Sequence, residues 1–290
     1  MPLQERQVAG LDYLNLVTTL LQRARQEDPT AGLWEAGDLQ WWWRRDQHPD
    51  PANQTFWLDG EDPRAAVIFT DWGDRWGCDV LTAGAGEELA WARAFERIDA
   101  LSDKPVEMAI NEDDIVTIER ALAAGFEATD EVYVPTWMTA AERPKPTPLP
   151  PGFELKARGD DQARPHPMIG RSGEHVAERL RECSLYRDDL DLAVYAPNGD
   201  VAGYGLFWAD RVTGVGLVEP MRTEDRYQRM GLARHVLTTG VERLAAHGCS
   251  RMKVSYMTDN EASRRLYLGS GFRGSSADRT YRLRRSASER

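Results

Sequence analysis

The chain is poor in cysteine, in lysine and in long apolar runs, and each shortage removes a class of protein. Its three cysteines, Cys78, Cys183 and Cys249, are far apart and odd in number. They form neither a metal-ligand spacing nor a disulfide framework, so each is expected to be a small buried residue in a reducing, cytoplasmic setting. Lysine occurs only at Lys104, Lys145, Lys156 and Lys253; the other cations are arginines. No apolar run approaches the roughly 20 residues that span a bilayer. The start, with Glu5 and Arg6 ahead of a mixed helix-like stretch over residues 11–21, lacks the cleavage site of a secretory signal. The histidines, His48, His166, His175, His235 and His247, show no metal spacing, and no metal is expected. There is no serine nucleophile elbow and no Walker loop, so an acyl-enzyme finds no support.

What is present is a soluble globular composition, 41% hydrophobic and 29% charged, over 290 residues, a length that suits two domains. The net charge of -11 makes nucleic acid and anionic membranes poor partners and is compatible with a cationic acceptor. The segment from Arg143 to Gly152 alternates proline with other residues, which stops helices and favours a stiff extended link. The expected organisation is therefore a domain over 1–142, a linker over 143–152 and a second domain over 153–290.

The two halves close alike. Asp113-Asp114, a helix-like stretch, Gly125-Phe126 and a strand-like 131–137 are followed 146 residues later by Asp259-Asn260, a helix-like stretch, Gly271-Phe272 and 280–283. Two copies at half the chain length argue for an internal duplication. Strands are expected at 65–70 and 78–82, with a helix at 87–101. In the second half strands are expected at 153–157, 192–196, 201–208, 215–223 and 252–257. Helices are expected at 172–185, over the periodic Leu232, Val236, Leu237, Val241, Leu244 and Ala245, and from Asn260, a favoured N-cap. Nine of the ten tryptophans precede the linker, including Trp41-Trp42-Trp43. They read as core and interface filler or as the aromatic wall of an acceptor pocket.

The most informative stretch is a strand, a basic glycine loop and a helix start over residues 215–234. The first N–H groups of a helix have no internal partner and carry partial positive charge, so a loop that curls its amides inward there makes an anion site. Gly231 permits close approach, Ala233 is small, and Arg229 and Arg234 add charge.

Gln228-Arg-Met-Gly231-Leu-Ala233 resembles the Q/R-x-x-G-x-G/A motif of the GNAT superfamily of N-acetyltransferases, and residues 260–272 resemble the family's second signature, N-x-x-[AS]-x-x-L-Y-x-x-x-G-F. The resemblance implies an α/β fold of two tandem GNAT-like domains, each a mostly antiparallel mixed sheet flanked by helices. It implies an acyl-CoA-dependent N-acyltransferase in which acetyl-CoA is the cosubstrate. Gln228, Arg229, Met230, Gly231, Leu232, Ala233 and Arg234 would hold the pyrophosphate. The backbone at Met221, Arg222 and Thr223 would polarise the acyl carbonyl, and Asn260 would bond the pantetheine arm while capping its helix. Glu219 is the candidate base, since strand alternation puts 219, 221 and 223 on one face. The family's other base position, five residues before the signature Asn, is Ser255, which leaves Tyr256 with a water chain as the alternative. Tyr267 is the candidate acid. The first half lacks the phosphate motif and has Ala121 where the second has Tyr267, so it resembles a degenerate copy. Tandem members of this superfamily include mycothiol-synthase-like enzymes. The acceptor would be an amine of a small molecule or a peptide N-terminus, in natural-product modification or self-resistance, and the chain a monomer or homodimer. A non-catalytic acyl-CoA-binding regulator is the rival reading.

Overall fold

The computed structural model describes residues 2–30, 32–45, 50–101 and 104–284, and His48 lies outside them. In chain order the first half forms β1 (Gln4–Gln7), α1 (Gly10–Glu27), α2 (Ala36–Trp42), β2 (Gln54–Asp59), β3 (Asp62–Asp71), β4 (Trp76–Thr82), α3 (Glu87–Ala100), β5 (Val106–Asn111), α4 (Ile115–Ala123) and β6 (Glu127–Thr139). The second half forms β7 (Glu154–Ala157), α5 (Ile169–Ser172), α6 (Val176–Arg181), β8 (Asp191–Tyr195), β9 (Val201–Asp210), β10 (Val215–Thr223), α7 (Leu232–Ala246), β11 (Arg251–Met257), α8 (Glu261–Leu268), β12 (Arg273–Gly274) and β13 (Asp278–Leu283). This is the mixed α/β architecture expected. The single helix expected at 172–185 is instead the short pair α5 and α6, because Gly173, at φ 85°, ends α5 in a conformation that a helix cannot continue.

The chain divides into two compact units that cut across the boundaries 1–142 and 153–290. The first comprises residues 1–39, 46–133 and 276–290, and the second residues 40–45 and 134–275. The physical cause is strand pairing. β13, at the end of the chain, lies between β5 and the first part of β6, pairing Asp278 with Asn111 and with Tyr133. The second part of β6 belongs with β11 and β12, and Thr136 Oγ1 donates to the Val254 carbonyl at 2.7 Å.

In the first unit β1 to β4 pair antiparallel, β4 and β5 parallel, and β13 antiparallel to both neighbours. Phe69, Trp91, Val106, Phe126 and Tyr281 sit in its core. In the second unit β7 to β10 pair antiparallel, and β10 and β11 parallel. Its core gathers Leu192, Phe207, Val236, Leu237, Met252 and Phe272. The proline-rich segment is not a free tether: Thr147 N–H donates to Thr238 Oγ1 on α7 at 3.0 Å, and Arg143 Nε pairs with Glu242 at 2.8 Å.

The internal repeat is visible atom by atom. Asp114 and Asn260 each cap a helix, accepting the N–H of the third residue on (Thr117 and Ser263) at 3.1 Å. Each helix ends on a left-handed glycine, Gly125 at φ 86° and Gly271 at φ 100°. Phe126 N–H then donates to Ala121 O, and Phe272 N–H to Tyr267 O. Only glycine adopts such angles without steric cost, which is why the Gly-Phe pairs recur.

Gly240, in the interior of α7, has a different reason. A Cβ there would lie 2.0 Å from Phe207 Cζ, so the helix rests directly on the ring. Gly240→Ala should therefore destabilise the protein, despite alanine's better helix propensity. Overpacking costs about 1–3 kcal/mol or more, and a lowered denaturant midpoint at unchanged slope checks it.

Candidate active site

The strand β10 carries the site because it changes partners along its length. Its pairing with β11 covers only Val215, Gly216 and Leu217, after which the two strands diverge. Its pairing with β9 continues to Thr223 but slips at Glu219-Pro220: Val218 faces Phe207, and Met221 faces Gly205. That is a bulge, an extra residue that bends a strand and re-aims its side chains. The simple alternation expected to place 219, 221 and 223 on one face is interrupted there. Trp208 Nε1 donates to the Glu219 carbonyl at 2.7 Å and holds the bulge.

Beyond the bulge, the backbone pattern separates the three residues expected to polarise a carbonyl. Glu224 N–H donates to Ala202 O on the β9 side. Hydrogen-bonding direction alternates along an antiparallel strand, so Arg222 also points to β9, while the N–H groups of Met221 and Thr223 point to the side that β11 has left. Arg222 is thus excluded from that role. Its guanidinium is also engaged, by Glu224 at 3.2 Å and Asp225 at 3.5 Å.

The Glu219 carboxyl is pushed up to about 7 by burial, against which the Arg44 guanidinium and the Trp41 indole N–H both work. These two residues come from the Trp41-Trp42-Trp43 stretch. The end of α2 is built into the second unit: Gln40 donates to Ser184 Oγ at 2.9 Å and accepts the Leu185 N–H at 2.9 Å, and Trp43 Nε1 donates to Glu182 at 2.6 Å. Arg44 stacks over Trp41 at 3.6 Å and donates to its carbonyl at 2.7 Å. Burial lowers the Arg44 guanidinium to about 10, with Arg45 adding to the effect and Glu219 opposing it. The tryptophans are therefore packed, as Trp41 and Trp43 are buried, and one of them also tunes the site. Sequence reasoning named Trp41 without its partner and missed Arg44, since nothing local ties position 44 to 219.

Tyr267, on α8, is buried against Phe272, with ring centroids 6.3 Å apart. Burial first and the Glu219 charge second raise its phenol well above the ordinary range, and a hydrogen bond with Ser263 opposes them. The electrostatic coupling puts Glu219 and Tyr267 in one neighbourhood. Asn260 spends its side-chain oxygen on the α8 cap. Ser255 is half-buried, and Tyr256 is hydrogen-bonded with Arg264.

The loop before α7 is open for an anion. Among the described residues, the N–H groups of Arg229, Met230 and Gly231 have no acceptor, and those of Leu232, Ala233 and Arg234, in the first helical turn, have none by helix geometry. Arg229 at φ 61° and Gly231 at φ 83° curl the backbone, the kind of turn in which successive amides can face one anion. Arg229 and Arg234 are exposed, and among the described residues neither has a carboxylate partner. Gln228 braces the loop through Asp225 at 3.2 Å, Leu232 is buried and anchors the helix, and Met230 is exposed. A Cβ on Gly231 would meet nothing within 4 Å, so the residue fronts open space. Among the described residues, no group of three histidine, cysteine or acidic side chains could hold a metal ion, and no helix is long and apolar enough to cross a membrane.

This strand, loop and helix arrangement defines an acetyltransferase-like domain. Residues 160–272, within the second unit, match the acetyltransferase (GNAT) family. The whole chain has the tandem GNAT fold. It is similar to a tandem GNAT protein from the clavulanic acid biosynthesis pathway, with a TM-score of 0.69 and 15% identity over 99% of this chain and 100% of that one. It also resembles a GCN5-related N-acetyltransferase from Sphaerobacter thermophilus (TM-score 0.56, 13% identity, 97% and 95% covered). A GNAT-family acetyltransferase from Colwellia psychrerythraea is similar in the same way (TM-score 0.58, 12% identity, 97% and 100% covered). At these identities the likeness is one of fold. No curated protein sequence matches the chain.

Proposed function

We propose that the second unit transfers the acetyl group of acetyl-CoA directly to a primary amine. The observation that carries this reading is the electrostatic coupling of Glu219, raised to about 7 on the strand that β11 leaves, with Tyr267, whose phenol is raised by burial; we read the first as the base and the second as the acid. Bound acetyl-CoA would supply a thioester carbon and a thiolate leaving group. The six loop amides, with Arg229 and Arg234, would hold its diphosphate, and Met221 N–H and Thr223 N–H would bond the acyl oxygen and the arm. Amides fixed in this way stabilise a developing oxyanion without reorganising. Glu219 would take the proton that an alkylammonium, with a pKa of about 10, must lose before it attacks. Tyr267 would give a proton to the departing sulfur, the second N–H proton lost as the amide forms would replenish the phenol, and the proton taken by Glu219 would pass to solvent, so one proton is released per transfer. Thiol release from acetyl-CoA with a panel of small primary amines tests the activity; no release with any amine, by a chain that binds acetyl-CoA, favours the non-catalytic regulator.

Calorimetric titration with coenzyme A should give one site per chain, since the first unit lacks a matching loop. Gly231→Val should abolish that binding while leaving the melting temperature within a few degrees. The new side chain would fill the open concavity and strain the φ of 83°. Two sites, or retained affinity in the variant, would move the coenzyme elsewhere.

Trp41→Phe tests the tuning of Glu219. The indole N–H favours the charged carboxylate, so its removal should raise the carboxyl above about 7. The acidic limb of the kcat/KM profile should shift to higher pH, with the plateau at high pH nearly unchanged. A limb that stays in place would limit Trp41 to packing.

A further inference from the structure

The first unit contains a cavity of about 320 Å³ that the acetyl transfer proposed above does not use. It lies where β4 and β5 part. Those strands pair only at Trp76↔Val106 and Gly77↔Glu107, and the cavity is lined beyond that point by residues 78–82 and 108–111. Leu21, Leu33, Val80, Met108 and Ile110 give it apolar walls, and its volume falls within the range of small-molecule sites, about 300–1,000 Å³.

Its polar focus is Asp79. Trp34 Nε1 donates to Asp79 Oδ1 at 2.7 Å, and among the described residues no arginine or lysine pairs with the carboxylate. Burial pushes the carboxyl up to about 6, with the indole bond opposing. Asp79 is half-buried in the cavity wall; a carboxylate partly withdrawn from water without a cation carries a desolvation cost, and a cationic partner relieves it. The cavity's own cation does not serve: Arg25 is held by Glu35, with Nε 3.1 Å from Oε2. Asp278 and Glu87 in the lining add negative charge.

The same surroundings exclude an anion. The loop leading into α3 carries Gly84, Gly86, Glu87 and Glu88 where the second unit has Arg229 and Arg234. A Cβ on Gly86 would lie 2.9 Å from Ala65 Cβ, and one on Gly84 would lie 3.2 Å from the Glu27 carboxylate. This loop is packed and faced by carboxylates, so a diphosphate has neither room nor attraction there.

We propose that this cavity binds a small monocationic amine, with Asp79 as its counter-ion and the apolar walls taking its hydrocarbon body. All the lining residues belong to the first unit, and the assignment stands or falls independently of the transferase reading.

The test is calorimetric titration of the full chain at pH 7.5 with phenethylammonium, against the neutral phenethyl alcohol and the anionic 3-phenylpropionate. The amine should bind saturably, and the alcohol and the carboxylate at least tenfold more weakly. Asp79→Asn, with unchanged circular dichroism, should weaken the amine at least tenfold, whereas Glu219→Gln should leave this binding event in place. Absence of saturable amine binding, equal binding of the alcohol, full affinity in Asp79→Asn, or loss of the event in Glu219→Gln would each overturn the assignment. The amine–alcohol comparison on the unaltered chain decides the question even if Asp79→Asn does not fold.

Discussion

Glu219→Gln should cut the turnover of an amine acceptor at neutral pH by about 10²–10⁴-fold, the usual contribution of a general base. Affinity for acetyl-CoA should hardly change, because Glu219 sits at the strand bulge and is not one of the loop residues 228–234 proposed to hold the diphosphate. The pH profile carries the diagnosis. The carboxyl, pushed up to about 7 by burial, must be ionised to accept a proton, so wild-type kcat/KM should climb through about pH 7. The variant should lose that limb and regain rate only as the pH approaches the acceptor's own pKa, where the amine arrives neutral. A stability measurement gives an independent reading. A carboxyl raised above its unfolded value of 4.5 contributes stability that is complete below that value and is lost as the pH rises through about 7. Glu219→Gln should therefore raise the melting temperature at pH 8 and not at pH 4. A parallel profile at nearly full rate would leave the proton to Tyr256 or water.

Tyr267→Phe should lower kcat by about 10²-fold or more and leave the Kd for coenzyme A within a few-fold. The phenol is buried and raised by its surroundings, so it stays protonated across the working range and has a proton to give to a departing thiolate. The variant keeps the ring that packs on Phe272, which separates the hydroxyl's chemistry from the ring's packing. An acyl donor with a more acidic thiol leaving group should recover much of the loss, since it needs less protonation. An unchanged kcat, with the fold intact, would leave Tyr267 as a core residue.

Wherever the physics is local, the sequence alone determined the outcome. Asp114 and Asn260 cap helices because a short polar side chain reaches the third N–H on, whatever the surroundings. Gly125, Gly271 and Gly231 take left-handed angles that other residues resist, so these turns are legible as letters. The loop proposed to hold the diphosphate is local as well, being built from consecutive amides at one helix start. Tertiary structure decided everything that depends on which strand pairs with which. The placement of β13 beside β5 and β6 needs backbone ladders between residues 145 to 177 positions apart, and strand pairing of that range leaves no local pattern. The bulge that re-aims Glu219 is a mismatch of register between β10 and β9 and belongs to neither strand alone. The setting of Glu219 itself is the clearest case. Its carboxyl is raised by burial and restrained by Trp41 and Arg44, residues some 175 positions earlier, because the end of α2 folds into the second unit. Desolvation and charge act through space, so the acidity of a side chain is set by the residues that folding puts beside it and not by its neighbours along the chain.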